Sequence, residues 1–195
     1  MNDLENKKPI GYVLDLRSNP GGLLEASIEI ARLWLNQGTI VSTETKDGIK
    51  DVRRANGRAI TSRPVVVLVD GGSASASEIL SGAIQDNKRG LLVGQKTFGK
   101  GLVQSARALS DGSGLTVTIA KYLTPKGRDI HKHGIVPDIE ATISEKDASA
   151  FTREDIGTAK DKQYMVAETL LIKLLNSPNS KTSYKPGKAN LNHAF

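Results

Sequence analysis

RPVVVLVDGGSASASEILSGAIQDNKRGLLVGQKTFGKGLVQ, residues Arg63 to Gln104, decides the fold of this chain. Its first part, Val65 to Val69, is an apolar run of β-branched and leucine side chains, broken by Asp70-Gly71-Gly72. β-Branched residues favour an extended chain, and consecutive glycines end one. The small, hydroxyl-rich run Ser73-Ala74-Ser75-Ala76-Ser77 follows. Ile79, Leu80, Ala83 and Ile84 then recur with helical spacing as far as Asp86 or Asn87. A second apolar run, Leu91 to Val93, leads to a glycine-flanked lysine, Gly99-Lys100-Gly101. The stretch reads as strand, tight turn carrying serines, helix, strand, and a loop presenting a lysine.

The same alternation extends outward. Ile10 to Leu16 reads as a mostly buried strand, Arg17 to Gly22 as a loop, and Leu23 to Leu35 as an amphipathic helix ended by Gly38. Thr39 to Thr45 and Ile49 to Arg54 are strands joined by the turn Lys46-Asp47-Gly48. Leu102 to Leu109 and Leu115 to Tyr122 form a hairpin around Ser110 to Gly114. A polar loop, Thr124 to Gly134, precedes a short strand at Ile139 to Ile143. Asp161 to Leu175 is a last amphipathic helix, with shorter helical pieces before it between Ser144 and Asp161. Residues 1–9 are expected to be an N-terminal tail, 10–176 one domain, and 177–195, rich in Ser, Asn, Lys, Pro and Gly, disordered. Strands alternating with helices and a hairpin-rich second half make an α/β protein with a mixed sheet and packed helices.

The 195 residues suit one domain with a sizeable core. No apolar run reaches the length of a membrane span, and the first eight residues carry no apolar segment of the secretory type. Without cysteine there is no disulfide framework, zinc–thiolate site or thiol nucleophile. The net charge of +6 comes from lysines and arginines spread along the chain, and aromatics are only 4%. This describes a solvated basic surface rather than a nucleic-acid platform.

A serine attacks a carbonyl only when a base removes its proton. The three histidines are His131 and His133 in the polar loop and His193 in the tail. None lies in a place evidently built to hold an imidazole, although His131 and His133 stay open as bases. Lysine is the alternative, provided that it is stripped of water, since a solvated lysine titrates near ~10.4. Phe98, Leu102 and Val103 supply apolar bulk around Lys100 in the sequence. The developing oxyanion needs backbone N–H donors. The turn at Ser73 to Ser77 and the loop Pro20-Gly21-Gly22 each close a strand and open a helix, and neighbouring parallel strands would bring them to one edge. A competing motif, Gly94 to Lys100, matches G-x-x-x-x-G-K. Its next position is Gly101 and a strand follows, so no nucleotide partner is expected.

Taken together, Leu14-Asp-Leu-Arg-Ser-Asn-Pro-Gly-Gly22, Ser73-Ala-Ser-Ala-Ser-Glu-Ile79, Gln85-Asp86, Thr97-Phe-Gly-Lys-Gly101 with Gln104, and Gly134-Ile-Val-Pro-Asp138 resemble the catalytic domain of the carboxyl-terminal processing peptidases of family S41. The resemblance implies a ClpP/crotonase-like core and a serine endopeptidase that cleaves proteins near their C-termini. It implies Ser75 as nucleophile, Lys100 as general base, Gln104 as the group that orients the lysine, and the N–H groups of Gly21 and Ala76 as the oxyanion hole. Asp86 matches a position with a supporting role in some members. The resemblance implies no cofactor and no metal, protein or peptide substrates, no nucleic-acid partner, and a periplasmic or envelope location. Homo-oligomerisation stays open. Full members add a PDZ domain, which these residues do not contain, so the alternative is an inactive remnant that only binds peptides or partners.

Overall fold

In the computed structural model, residues 1–48, 50–143, 149 and 151–176 are described. The parallel and antiparallel strands divide into two sheets. Tyr12–Asp15 (β1), Val65–Val69 (β4), Leu91–Gly94 (β5) and Ile139–Glu140 (β8) form an all-parallel sheet in the order β1-β4-β5-β8. Thr39–Thr45 (β2), Lys50–Arg54 (β3), Leu102–Ala108 (β6) and Gly114–Leu123 (β7) form an antiparallel sheet in the order β3-β2-β7-β6. The helices are Asn2–Asn6 (α1), Leu24–Trp34 (α2), Ala76–Asp86 (α3) and Lys162–Asn176 (α4).

Every residue of β4 is fully buried, as a continuous apolar run at the centre of a parallel sheet requires. Its alternating side chains serve two cores. Val65, Val67 and Val69 pack with Ile28, Ala31, Ile79, Ala83 and Ile84 of α2 and α3. Val66 and Leu68 pack with Val93 and with Ala167 and Leu171 of α4. The sheet is thus covered on both faces, and the loops that leave the C-terminal ends of β1, β4 and β5 share one edge.

Observed strand and helix ends differ from the expected ones by one or two residues, except for β8, which stops at Glu140 rather than Ile143. There Ala141 gives its N–H to Gly94 O, and its own carbonyl accepts from the Gln163 side chain at 2.6 Å, so the chain is drawn off toward α4. The first nine residues are not a plain tail. α1 is seated by Glu5, whose carboxylate accepts from the Tyr12 hydroxyl and from Arg63 Nε. A five-residue helix carries too little periodicity to be seen in sequence. Before α4 the described residues include a 3-10 turn at Arg153–Asp155. The expected disorder of 177–195 and any helical piece over 144–148 lie outside the described residues.

Asp161, immediately before α4, is buried and joins that helix to the loop after β1. Arg17 donates to its two oxygens at 2.9 and 2.7 Å, and the N–H groups of Tyr164 and Gly157 add to it. Burial pushes the carboxyl up, but these hydrogen bonds outweigh it and hold the group below its ordinary 3.8. A depressed carboxyl stabilises the folded state above its unfolded value and loses that contribution as pH falls through the folded one. Asp161→Asn is therefore expected to lower the urea midpoint at pH 7, and the gap from wild type should begin to narrow as pH falls through about 3.8 and go on narrowing below it. A gap that is constant from pH 7 to pH 2.5 would contradict this linkage.

Candidate active site

The loop after β4 begins with Asp70. Its Oδ1 accepts the N–H groups of Ser18, Gly72 and Ser73 at 2.8 to 3.1 Å, fastening this loop to the one after β1. Ser73 is fully buried, and its hydroxyl donates to Leu16 O at 2.7 Å. Ala74 gives its N–H to Asn19 O, a second tie between the loops. Ser77 is buried within the first turn of α3. Ser75 differs from both: it is half-buried, and its backbone has φ +55° and ψ −116°. A side chain at positive φ is strained and is held only where its surroundings impose it. A serine on a strained strand-to-helix turn is also how a hydroxyl is thrust out at a sheet edge.

Glu78 imposes that turn. Its side chain has no solvent exposure, and its two oxygens collect four donors. Oε2 accepts the N–H of Ser75 at 2.9 Å and the N–H of Lys100 at 2.8 Å. Oε1 accepts the Thr97 hydroxyl at 2.5 Å and the N–H of Gly99 at 2.7 Å. One carboxylate oxygen therefore bridges the serine turn and the lysine loop. Phe98 N–H to Ser73 O, at 3.0 Å, adds a direct tie between them. Glu78 lies within the Ser73 to Ile79 motif, with no role expected for it from sequence. The signal was present in the spacing Ser75-x-x-Glu78, the pattern of a capping box whose acid reaches back to the first residue's N–H.

Gly21 also meets the turn. It has φ +92°, and a Cβ there would lie 2.5 Å from Ala74 O and 2.7 Å from Ala76 N, so only glycine fits. The two candidate oxyanion donors are thus side by side. In this conformation the Gly21 N–H is given to Asn19 Oδ1 at 3.0 Å, an exposed bond that an incoming carbonyl would have to replace. Against Gly21 and Ala76 lies a cavity of about 110 Å³, walled by Leu23, Ala26, Ile30 and Leu80.

Lys100 reaches this site with its backbone, but its surroundings are not those expected. The side chain is exposed, and Phe98, read as apolar cover, is 67% exposed. Gly99 between them is buried at φ +93° while both flanking side chains turn to solvent, so adjacency in sequence did not become burial. Gln104 is exposed on β6, just past a register shift at Val103/Gln104, and no hydrogen bond joins it to Lys100. Against the lysine loop lies His131: a Cβ on Gly101 would sit 2.4 Å from His131 N. Its Nδ1 is buried without a hydrogen-bond partner.

Asp86 is not part of this group. It ends α3, ten residues from Ala76, or roughly 15 Å along the axis. Its Oδ1 accepts from Arg128 at 2.5 Å and its Oδ2 from Lys126 N at 3.0 Å, pinning the turn after β7. Asp86→Ala is expected to cost about 1–3 kcal/mol by urea denaturation, largely shared with Arg128→Ala in a double-mutant cycle. A full loss of catalysis with an unchanged midpoint would return Asp86 to the catalytic group.

The model of peptidase family S41 matches residues 1–141 of the chain. A "Carboxyl-terminal-processing protease" of Synechocystis is 51% identical over 193 residues, covering 95% of this chain and 44% of that protein. "Carboxyl-terminal-processing peptidase 3, chloroplastic" of Arabidopsis thaliana is 50% identical over 144 residues, covering 73% of this chain and 28% of that one. Among solved structures, the photosystem II D1 C-terminal processing protease superposes with a TM-score of 0.69 at 48% identity, over 71% of this chain and 36% of that one. A putative S41 protease from Bacteroides fragilis shares the fold with a TM-score of 0.68 at 17% identity, over 88% of this chain and 47% of that one. The chain thus spans less than half the length of each of these four proteins.

Proposed function

Because the chain belongs to peptidase family S41, we propose that it is a serine endopeptidase unit that cleaves polypeptides near their C-termini, with Ser75 as nucleophile and Lys100 as base. The observation that carries this reading is the Glu78 carboxylate, which binds the backbones of both residues through one oxygen. The Ser75 hydroxyl attacks the scissile carbonyl while the neutral Lys100 amine takes its proton. The carbonyl oxygen, now negative, is received by the N–H groups of Ala76 and Gly21, the latter released by Asn19. Collapse expels the amine half of the peptide with the proton from Lys100. Water, deprotonated by the same amine, then frees the acyl group from Ser75. The exposed Lys100 side chain must be desolvated before it can serve as a base, and a substrate strand lying over the loop supplies that cover. Gln104, two residues into β6, is proposed to orient the amine once it turns inward.

The small cavity beside Gly21 and Ala76 takes the side chain that precedes the scissile bond. At about 110 Å³ and with apolar walls it suits alanine or valine rather than an aromatic or charged group. Ala26→Phe is expected to lower kcat/KM at least tenfold on a peptide with alanine at that position. An unchanged kcat/KM would place the subsite elsewhere.

A second reading makes His131 the base, on the strength of its buried, unpartnered Nδ1 beside the lysine loop. The pH–rate profile separates the two. With Lys100 as base, Lys100→Ala abolishes turnover and His131→Ala retains the pH dependence. A profile governed by a group near pKa ~6.5 and lost in His131→Ala would overturn the lysine assignment. A non-catalytic, peptide-binding remnant predicts no cleavage by wild type or Ser75→Ala while both are folded.

A further inference from the structure

At the opposite end of α3, on the edge of the parallel sheet where β4 and β5 begin, lies a larger cavity of about 850 Å³. It is remote from Ser75, which sits at the C-terminal ends of those strands. The volume falls in the range of sites that enclose small organic ligands. Part of its wall is apolar, from Pro64, Val65, Leu91 and Leu174. The rest is charged, and the charges do not balance. Asp86 is spent on Arg128 and on Lys126 N, and Asp138 Oδ2 accepts the Leu92 N–H. Lys126 Nζ comes only within 4.0 Å of Asp86.

Arg89 is the unusual group. Its guanidinium is packed at 5.8 Å over the Trp34 ring and donates to the carbonyls of Trp34, Thr61 and Arg63. Among the described residues no carboxylate pairs with it or with Lys88. Burial without a counter-charge pushes the guanidinium below the usual arginine range. A half-buried cation held only by carbonyl dipoles is costly, and an incoming anion relieves that cost.

We infer that this cavity is a second binding site, for an organic carboxylate: an apolar group seated against Leu174 and Leu91, with its carboxylate among Arg89, Lys88 and Lys126. A monoanion is favoured over a phosphate dianion because two aspartates already stand in the wall. The proposal does not depend on catalysis at Ser75.

The test is a titration of ¹⁵N-labelled protein with N-acetyl-leucine, followed by amide shifts. Arms with N-acetyl-leucinamide and with inorganic phosphate are run at equal ionic strength. Saturable shifts are expected at Lys88 to Leu91 and Lys126 to Arg128, with at least tenfold weaker binding for the amide and for phosphate. Arg89 anchors three carbonyls, so its removal endangers the fold; the double variant Lys88→Gln, Lys126→Gln is used instead and should weaken binding about tenfold. Several results would overturn the site: no saturation, shifts confined to Gly21 and Ala76, equal binding of the amide, tighter binding of phosphate, or full affinity in the double variant.

Discussion

Glu78→Ala is expected to lower the stability of this domain by about 3–5 kcal/mol and to abolish peptidase activity. The variant removes the acceptor of three backbone N–H groups, those of Ser75, Gly99 and Lys100, and of the Thr97 hydroxyl, at a position with no solvent exposure. Each buried donor left unmade costs about 1–3 kcal/mol, and water entering the space recovers part of it. The serine turn and the lysine loop would then be joined chiefly by Phe98 N–H to Ser73 O. Glu78→Gln sharpens the point. An amide keeps one acceptor oxygen but turns its NH₂ toward N–H donors on the other side. It should cost less stability than Ala, about 1.5–3 kcal/mol, yet still lose most of the activity, because the two loops are no longer held by a common group. Urea denaturation beside a peptide-cleavage assay checks both. A wild-type midpoint for Glu78→Ala would contradict the role given to this carboxylate.

Ser75→Gly is expected to move activity and stability in opposite directions. Turnover should fall on the order of 10⁶-fold, the scale seen when a serine nucleophile is removed, with residual hydrolysis from the N–H donors alone. Stability should rise by about 1 kcal/mol, because φ +55° with ψ −116° suits glycine and strains any side chain. Ser75→Ala loses the same activity but keeps the strain, so its stability stays near wild type. The difference between the two variants isolates the backbone term. Equal stability of Gly and Ala at this position would show that the turn is not strained.

The frame of the molecule was legible because its signals are local. Val65 to Val69 is uniformly apolar since β4 is covered on both faces, and Leu24, Ile28 and Ala31 recur because α2 is covered on one. The parallel pairing of β1 with β4, which places Gly21 beside Ala76, followed from the strand–loop–helix order. What was missed depends on the third dimension. Glu78 reads as one polar residue in an apolar helix, and only its three-residue distance from Ser75 hints that it faces inward. Phe98 and Lys100 look mutually protective in sequence, yet both are exposed. Asp86 shares a motif with the site but is carried away by the length of α3. The separation of parallel from antiparallel strands into two sheets has no local signature at all.

The pairing of Ser75 with Lys100 is tested most directly by incubating an unstructured protein of known C-terminus with wild type, Ser75→Ala and Lys100→Ala, and weighing the products intact. Loss of a C-terminal fragment after a small apolar residue, by wild type alone, with all three proteins folded by circular dichroism, is the predicted result. Equal cleavage by Ser75→Ala, or by Lys100→Ala, would contradict it.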